Sequence, residues 1–204
     1  MDFLITAGAT REYIDPVRFI SNASSGRMGY CLAQSAFDKG HKVTLVSGSY
    51  LQPPVGIDFV GVESADEMFR AVKKFFKRCD CLIMAAAVAD YTPVETSETK
   101  LKKSGKKLTI ELRATTDILE WAGQNKNKSQ LLVGFALEDK DIRRNAEKKL
   151  KEKKLDMIIA NTPSAIGAEK ATFHILVKRF NWSVMEDISK VELSRRIIKI
   201  VEDM

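Results

Sequence analysis

The chain has 204 residues, 45% hydrophobic and 29% charged, with 33 Lys and Arg against 27 Asp and Glu for a formal charge of +6. Such a length is one large domain, able to bury roughly 70% of its unfolded surface without a disulfide or metal staple. No apolar run reaches the ~18 residues of a membrane span, and Met1-Asp2-Phe3-Leu4-Ile5-Thr6 opens as a strand with no basic signal region, so we expect no membrane association and a cytoplasmic location.

The mild positive charge suits an anionic ligand. It does not imply nucleic acid, because the basic residues are interleaved with acidic ones. Cys31, Cys79 and Cys81 are odd in number and carry no secretion context, so they read as reduced thiols. Cys79-Asp80-Cys81 is CxC with only His41 and His174 to complete a zinc site; half-buried strand cysteines are the better reading.

In chain order, residues 3–7 predict a strand. Residues 26–39 predict a helix with Met28, Cys31, Leu32 and Ala36 on one side, stopping at Gly40. Strands follow at 42–47 and 59–62, then a helix over 65–77 with Met68, Phe69, Val72 and Phe76 at helical spacing. Residues 81–87 are continuously apolar, as in a strand covered on both faces, and 131–137 and 157–160 repeat that pattern. Helices are predicted over 141–154 and 190–202, with a late strand pair at 173–177 and 182–185. Strand–helix alternation of this kind predicts a single α/β domain over 1–204, three-layered and Rossmann-like with a mainly parallel sheet. Residues 91–113 break the alternation. Their Pro93 and the run from Lys100 to Lys107 around Ser104-Gly105 predict an exposed β-hairpin arm.

Ligands in such sheets sit outside the carboxyl ends of the strands. The first strand is followed by a long loop, 8–25, which brings Ser24-Ser25-Gly26 to a helix start. Backbone N–H groups there make an anion site, although Ser24 or Ser25 could simply cap the helix. Asn22 lies at the same mouth, able to donate to and accept from a carboxyl oxygen. The run Ala85-Ala86-Ala87-Val88-Ala89-Asp90 allows close ligand approach and ends in a carboxylate that could hold a divalent cation. In the helix over 141–154, Lys149 and Lys153 share the inward side with Ile142, Ala146 and Leu150. Inward lysines either bind an anion, here a polyphosphate, or snorkel at the helix end. Phe135 either stacks on a base or packs in the core, and Thr115-Thr116-Asp117-Ile118-Leu119 opens a helix beside it.

A Rossmann-type NAD(P)-dependent oxidoreductase is the alternative. No GxGxxG follows the first strand, and the second ends Val46-Ser47-Gly48 with no acid for a ribose hydroxyl.

Thr6-Ala7-Gly8-Ala9-Thr10-Arg11-Glu12, Ile14-Asp15-Pro16-Val17-Arg18, Ser21-Asn22-Ala23-Ser24-Ser25-Gly26-Arg27-Met28-Gly29, Ala86-Ala87-Val88-Ala89-Asp90-Tyr91, Lys100-Leu101-Lys102-Lys103 and Gly134-Phe135-Ala136 strongly resemble phosphopantothenate–cysteine ligases of the stand-alone bacterial type. The resemblance runs in order from residue 5 to Ala160-Asn161. It implies an amide-forming ligase of coenzyme A biosynthesis. The carboxylate of 4′-phosphopantothenate attacks CTP (ATP in eukaryotes), and L-cysteine then displaces the nucleoside monophosphate. It implies Asn22 and Lys100 as catalytic residues, Lys100 reaching the neighbouring subunit of a homodimer. It places nucleotide contacts on Ala86, Asp90, Lys100, Thr116, Asp117, Ile118, Leu119, Phe135, Lys149 and Lys153. Substrate contacts fall on Asn22, Ser24, Ser25, Gly26, Ala86 and Ala87, and Mg²⁺ on Asp90. The family's N-P-D-I reads Thr115-Thr116-Asp117-Ile118 here. Because the chain starts at the ligase's first strand, the resemblance also predicts no FMN and no decarboxylation.

Overall fold

The computed structural model describes every residue except Lys106 and Arg179. In chain order the elements are β1 (Asp2–Ala7), β2 (Arg11–Tyr13), β3 (Phe19–Ser21), α1 (Arg27–Asp38), β4 (Lys42–Ser47), β5 (Asp58–Gly61), α2 (Ala65–Phe76), β6 (Cys81–Met84), β7 (Tyr91–Pro93), β8 (Leu112–Ala114), α3 (Ile118–Asn125), β9 (Leu131–Leu137), α4 (Ile142–Glu152), β10 (Met157–Asn161), β11 (Lys170–Val177), β12 (Ser183–Ser189) and α5 (Lys190–Glu202).

Eight strands form one sheet in the order β12-β11-β10-β9-β6-β1-β4-β5. The six from β10 to β5 are parallel; β11 and β12 join antiparallel at one edge. The continuous apolar strands are buried on both faces, and the alternation of side chains splits the core in two. Phe3, Ile5 and Ala7 of β1 pack with Leu32 and Ala36 of α1 and Leu193 and Ile197 of α5. Leu4 faces the other way, toward Met68 and Val72 of α2, Leu119 of α3 and Leu150 of α4. The molecule is thus the three-layer Rossmann-like α/β structure anticipated. Cys79 and Cys81 belong to this core, Cys81 fully buried in β6, and burial pushes the Cys79 thiol up to about 12.

The strand order reverses at β1, which has β4 on one side and β6 on the other. That switch point opens a crevice at the carboxyl ends, where ligands bind in open α/β sheets.

Four local expectations change. The strand over 81–87 ends at Met84, because Ala86 N–H donates to the Thr6 hydroxyl (3.2 Å) instead of a neighbouring backbone. Beyond it a single bridge, Ala9 with Ala87, continues the contact. The 8–25 loop is not structureless: β2 and β3 pair antiparallel within it. The arm is a hairpin only at its root, where β7 and β8 pair over three residues. Its Lys106 lies outside the described residues. Finally, the helix over 141–154 is shorter than its pattern. Asp141 takes φ 49° before it, and Lys153 is its C-cap.

Candidate active site

The crevice is a cleft of about 840 Å³ at the ends of β6, β9 and β10 and beneath the loop leading to α1. That volume lies within the usual range for small-molecule sites. Asn22, Ser24, Ser25 and Gly26 line it from the loop, and Ala86, Ala87 and Asp90 from the segment after β6. Thr116, Asp117, Ile118 and Leu119 line it from the start of α3, Phe135 from β9, and Lys149 and Lys153 from α4 and its cap. Every nucleotide or substrate position anticipated above therefore faces one space, except Lys100. That side chain is exposed on the arm and is not part of this chain's cleft wall.

Local chemistry explains the assembly. Gly26 is the N-cap of α1 at φ 83°, with no side-chain cap hydrogen bond. An added Cβ would come within 3.0 Å of the Gly8 Cα, so only glycine fits. Ser24 Oγ accepts from Gly26 N–H and Ser25 Oγ from Arg27 N–H, each at a long 3.4 Å. The serines thus do little capping, and the N-terminus of α1 faces the cleft. Asn22 Nδ2 donates to the carbonyls of Ala87 (3.2 Å) and Val88 (3.1 Å) and so fastens the loop to the segment after β6.

On the opposite side, Lys149 Nζ donates to the Phe135 carbonyl at 2.8 Å, and Lys153 Nζ meets Asp117 Oδ2 at 2.5 Å. Burial first, and the neighbouring Lys153 second, hold the Lys149 ammonium below its usual value. Asp117 also caps α3 by accepting from Glu120 N–H. Burial would raise its carboxyl, but the hydrogen bond from Lys153 and the cap outweigh that, and the net shift is downward. Gly123 lets the two helices meet: a Cβ there would lie 2.0 Å from the Lys153 carbonyl oxygen. Phe135 is half-buried, packing against the core while lining the cleft, so the two readings of it coexist.

A second assembly escaped sequence reasoning. The fully buried Asp15 accepts from the backbone N–H groups of Val17 and Arg18 (2.8 Å each) and Leu101 (3.1 Å), and it pairs with the Arg18 guanidinium. Burial would raise its carboxyl, but Arg18 and the three backbone donors hold it far below the usual carboxylate range. Ser97 N–H also donates to the Ile14 carbonyl at 3.0 Å. The turn between β2 and β3 thereby clamps the arm immediately beside Lys100. Arg27 and Lys190 also line the cleft without having been assigned a role from the sequence. Among the described residues no group of three or more His, Cys, Asp or Glu gathers as a metal cage. No helix among them is long and apolar enough to cross a membrane.

Residues 1–204 match the family described as DNA/pantothenate metabolism flavoprotein C-terminal domain. The chain is 43% identical over 202 residues to the coenzyme A biosynthesis bifunctional protein CoaBC of Bacillus subtilis, covering 96% of this chain and 50% of that protein. It is 47% identical over 201 residues to a protein of an unknown prokaryotic organism named cysteine/cysteine sulfinic acid decarboxylase, of which it covers 56%. The chain thus spans about half the length of these relatives. Among solved structures, the C-terminal domain of a CoaBC protein superposes with a TM-score of 0.86 at 40% identity, covering 100% of this chain and 94% of that one.

Proposed function

The chain belongs to the DNA/pantothenate metabolism flavoprotein C-terminal domain family, and on that premise we propose that its cleft joins 4′-phosphopantothenate to L-cysteine at the expense of CTP, in coenzyme A biosynthesis. The observation that carries this reading is the convergence of the half-buried Lys149 and Lys153 and the open N-terminus of α1 on one cleft.

A carboxylate is a poor electrophile, and nucleotidylation makes it a good one. A carboxylate oxygen attacks the α-phosphorus and pyrophosphate leaves. The cysteine nitrogen then attacks the acyl carbon, the nucleoside monophosphate leaves with the C–O bond electrons, and the amine releases its proton to solvent. Both steps require anions held together in line, which is what cations and a helix N-terminus supply. No His or Cys lines the cleft among the described residues, so orientation and charge stabilisation carry the reaction. Mg²⁺ would enter this site with the triphosphate, since the described residues form no metal cage, and would supply charge neutralisation there. Asp90, an exposed carboxylate on the rim, is the residue to meet it. The decarboxylase name of one relative belongs to a protein nearly half of which lies outside the match, and the same stretch of this chain matches the CoaBC proteins.

Pyrophosphate release is the test. We expect release with CTP only when phosphopantothenate is present, and amide product only when cysteine is added. An oxidoreductase would release none.

The exposed position of Lys100 outside its own chain's cleft supports its acting in the cleft of a second copy. Lys100→Gln and Asn22→Ala should each be nearly inactive. Mixed and allowed to exchange subunits, they should recover about a quarter of wild-type turnover, since half the dimers would carry one intact site of two. No recovery, with exchange confirmed by co-purification of differently tagged chains, would place Lys100 in its own chain's site.

A further inference from the structure

Helices α1 and α5 lie side by side on one face of the sheet and run in the same sense. Arg27 and Lys190 begin them at the cleft, Ser35 and Ser194 share a hydrogen bond of 2.7 Å, and Lys39 pairs with Glu202 at the far end. Each helix therefore starts on a cation at the end where its dipole is already positive, an unfavourable placement. The first turn of α1 holds no acidic residue, and Glu192 in the first turn of α5 is paired with Arg196 rather than with Lys190. Arg27 has no ionic partner among the described residues, and burial first, then the neighbouring Arg27, hold the Lys190 ammonium below its usual value. Lys190 Nζ instead reaches the carbonyls of Ala165 (3.5 Å) and Ala168, which fixes it on the cleft wall. On the α3–α4 side of the sheet, by contrast, Lys153 already has Asp117. The α1–α5 side thus adds two cations without an ion pair, among the described residues, to Lys149, which on the other side bonds the Phe135 carbonyl.

We propose that Arg27 and Lys190 form a second phosphoryl-binding subsite of this cleft, separate from Lys149 and Lys153, that takes a doubly charged phosphate or pyrophosphate group. Two cations and the N-terminus of α1 offer directed donors to such a group, and the group removes the repulsion between them. The identity of its owner rests on the ligase reading. It is either the departing end of the nucleotide or the phosphate monoester of the acid substrate.

The experiment is calorimetric titration of the full chain with inorganic pyrophosphate, for wild type, Arg27→Gln, Lys190→Gln and Lys190→Arg. Loss of one charged donor to a phosphate should raise Kd about tenfold or more in each Gln variant, with Lys190→Arg far closer to wild type. Steady-state turnover then separates the owners. A raised KM for the nucleotide assigns the subsite to the triphosphate. A raised KM for phosphopantothenate, with unphosphorylated pantothenate unaffected, assigns it to the acid. Glutamine can still donate to the Ala165 and Ala168 carbonyls. A Lys190→Gln protein that melts lower but keeps its pyrophosphate Kd and both KM values would therefore mark a tether and overturn the subsite. Should wild type bind pyrophosphate in an Arg27- and Lys190-dependent way yet release none from any nucleotide, the subsite stands and the ligase reading falls.

Discussion

Lys149→Met is expected to cut nucleotide-dependent pyrophosphate release by about 10²–10³-fold while the protein melts no lower than wild type. The two halves of that expectation have one cause. Lys149 is largely buried, its Nζ satisfied only by the Phe135 carbonyl, with Lys153 adding like-charge repulsion. A buried cation of this kind costs the fold. The linkage sign agrees: with its folded pKa below its unfolded one, the unfolded chain binds the proton more tightly. Stability is therefore lower at neutral pH than after deprotonation in the alkaline range. Methionine keeps the volume and removes the charge. What is lost is the positive potential in a partly desolvated cleft, where it acts most strongly on a developing phosphate anion. The nucleotide KM should also climb in the alkaline range earlier than an ordinary lysine would dictate. A folded Lys149→Met enzyme with full pyrophosphate release would remove the cation from the mechanism.

Lys149 also shows how far the residues could be read in advance. Its inward phase followed from Ile142, Ala146 and Leu150, because helical periodicity is local and short-ranged. Its partner was not legible, since the Phe135 carbonyl arrives from another strand. Lys153 was placed on the right side for a slightly wrong reason: α4 ends at Glu152, and the ammonium is aimed by Asp117. The parallel sheet was legible because its buried strands are uninterrupted apolar runs. The shortening of β6 was not, because the Thr6 hydroxyl that takes its next backbone donor is remote in sequence. Asp15 was visible only as part of a motif. Its role as the clasp between the β2–β3 turn and Leu101 depends on a contact between residues 86 positions apart. Arg27 and Lys190 did leave a signal, a basic residue at the first position of two helices. Local rules treat each as a minor penalty, and only their convergence in space gives it meaning.

Asn22→Ala is expected to leave the first step running and to stall the second. Both hydrogens of Asn22 Nδ2 are committed to the Ala87 and Val88 carbonyls. The amide therefore presents Oδ1, an acceptor, to whatever occupies the cleft. An acceptor does nothing for the attack of a carboxylate on phosphorus, where negative charge must be neutralised. It does assist attack by an amine, whose nitrogen gains positive charge and whose N–H bonds strengthen as donors. In a single turnover the alanine variant should release about one pyrophosphate per site, then form amide about 10²-fold more slowly than wild type, accumulating the acyl-nucleotidylate. Added Mg²⁺ or nucleotide should not rescue it. Asn22→Asp should behave worse in both steps, because a carboxylate against two carbonyl oxygens pushes the loop off the segment after β6 and opens the wall that positions both substrates. Equal slowing of pyrophosphate release and amide formation in Asn22→Ala would show instead that the residue serves only to hold the loop.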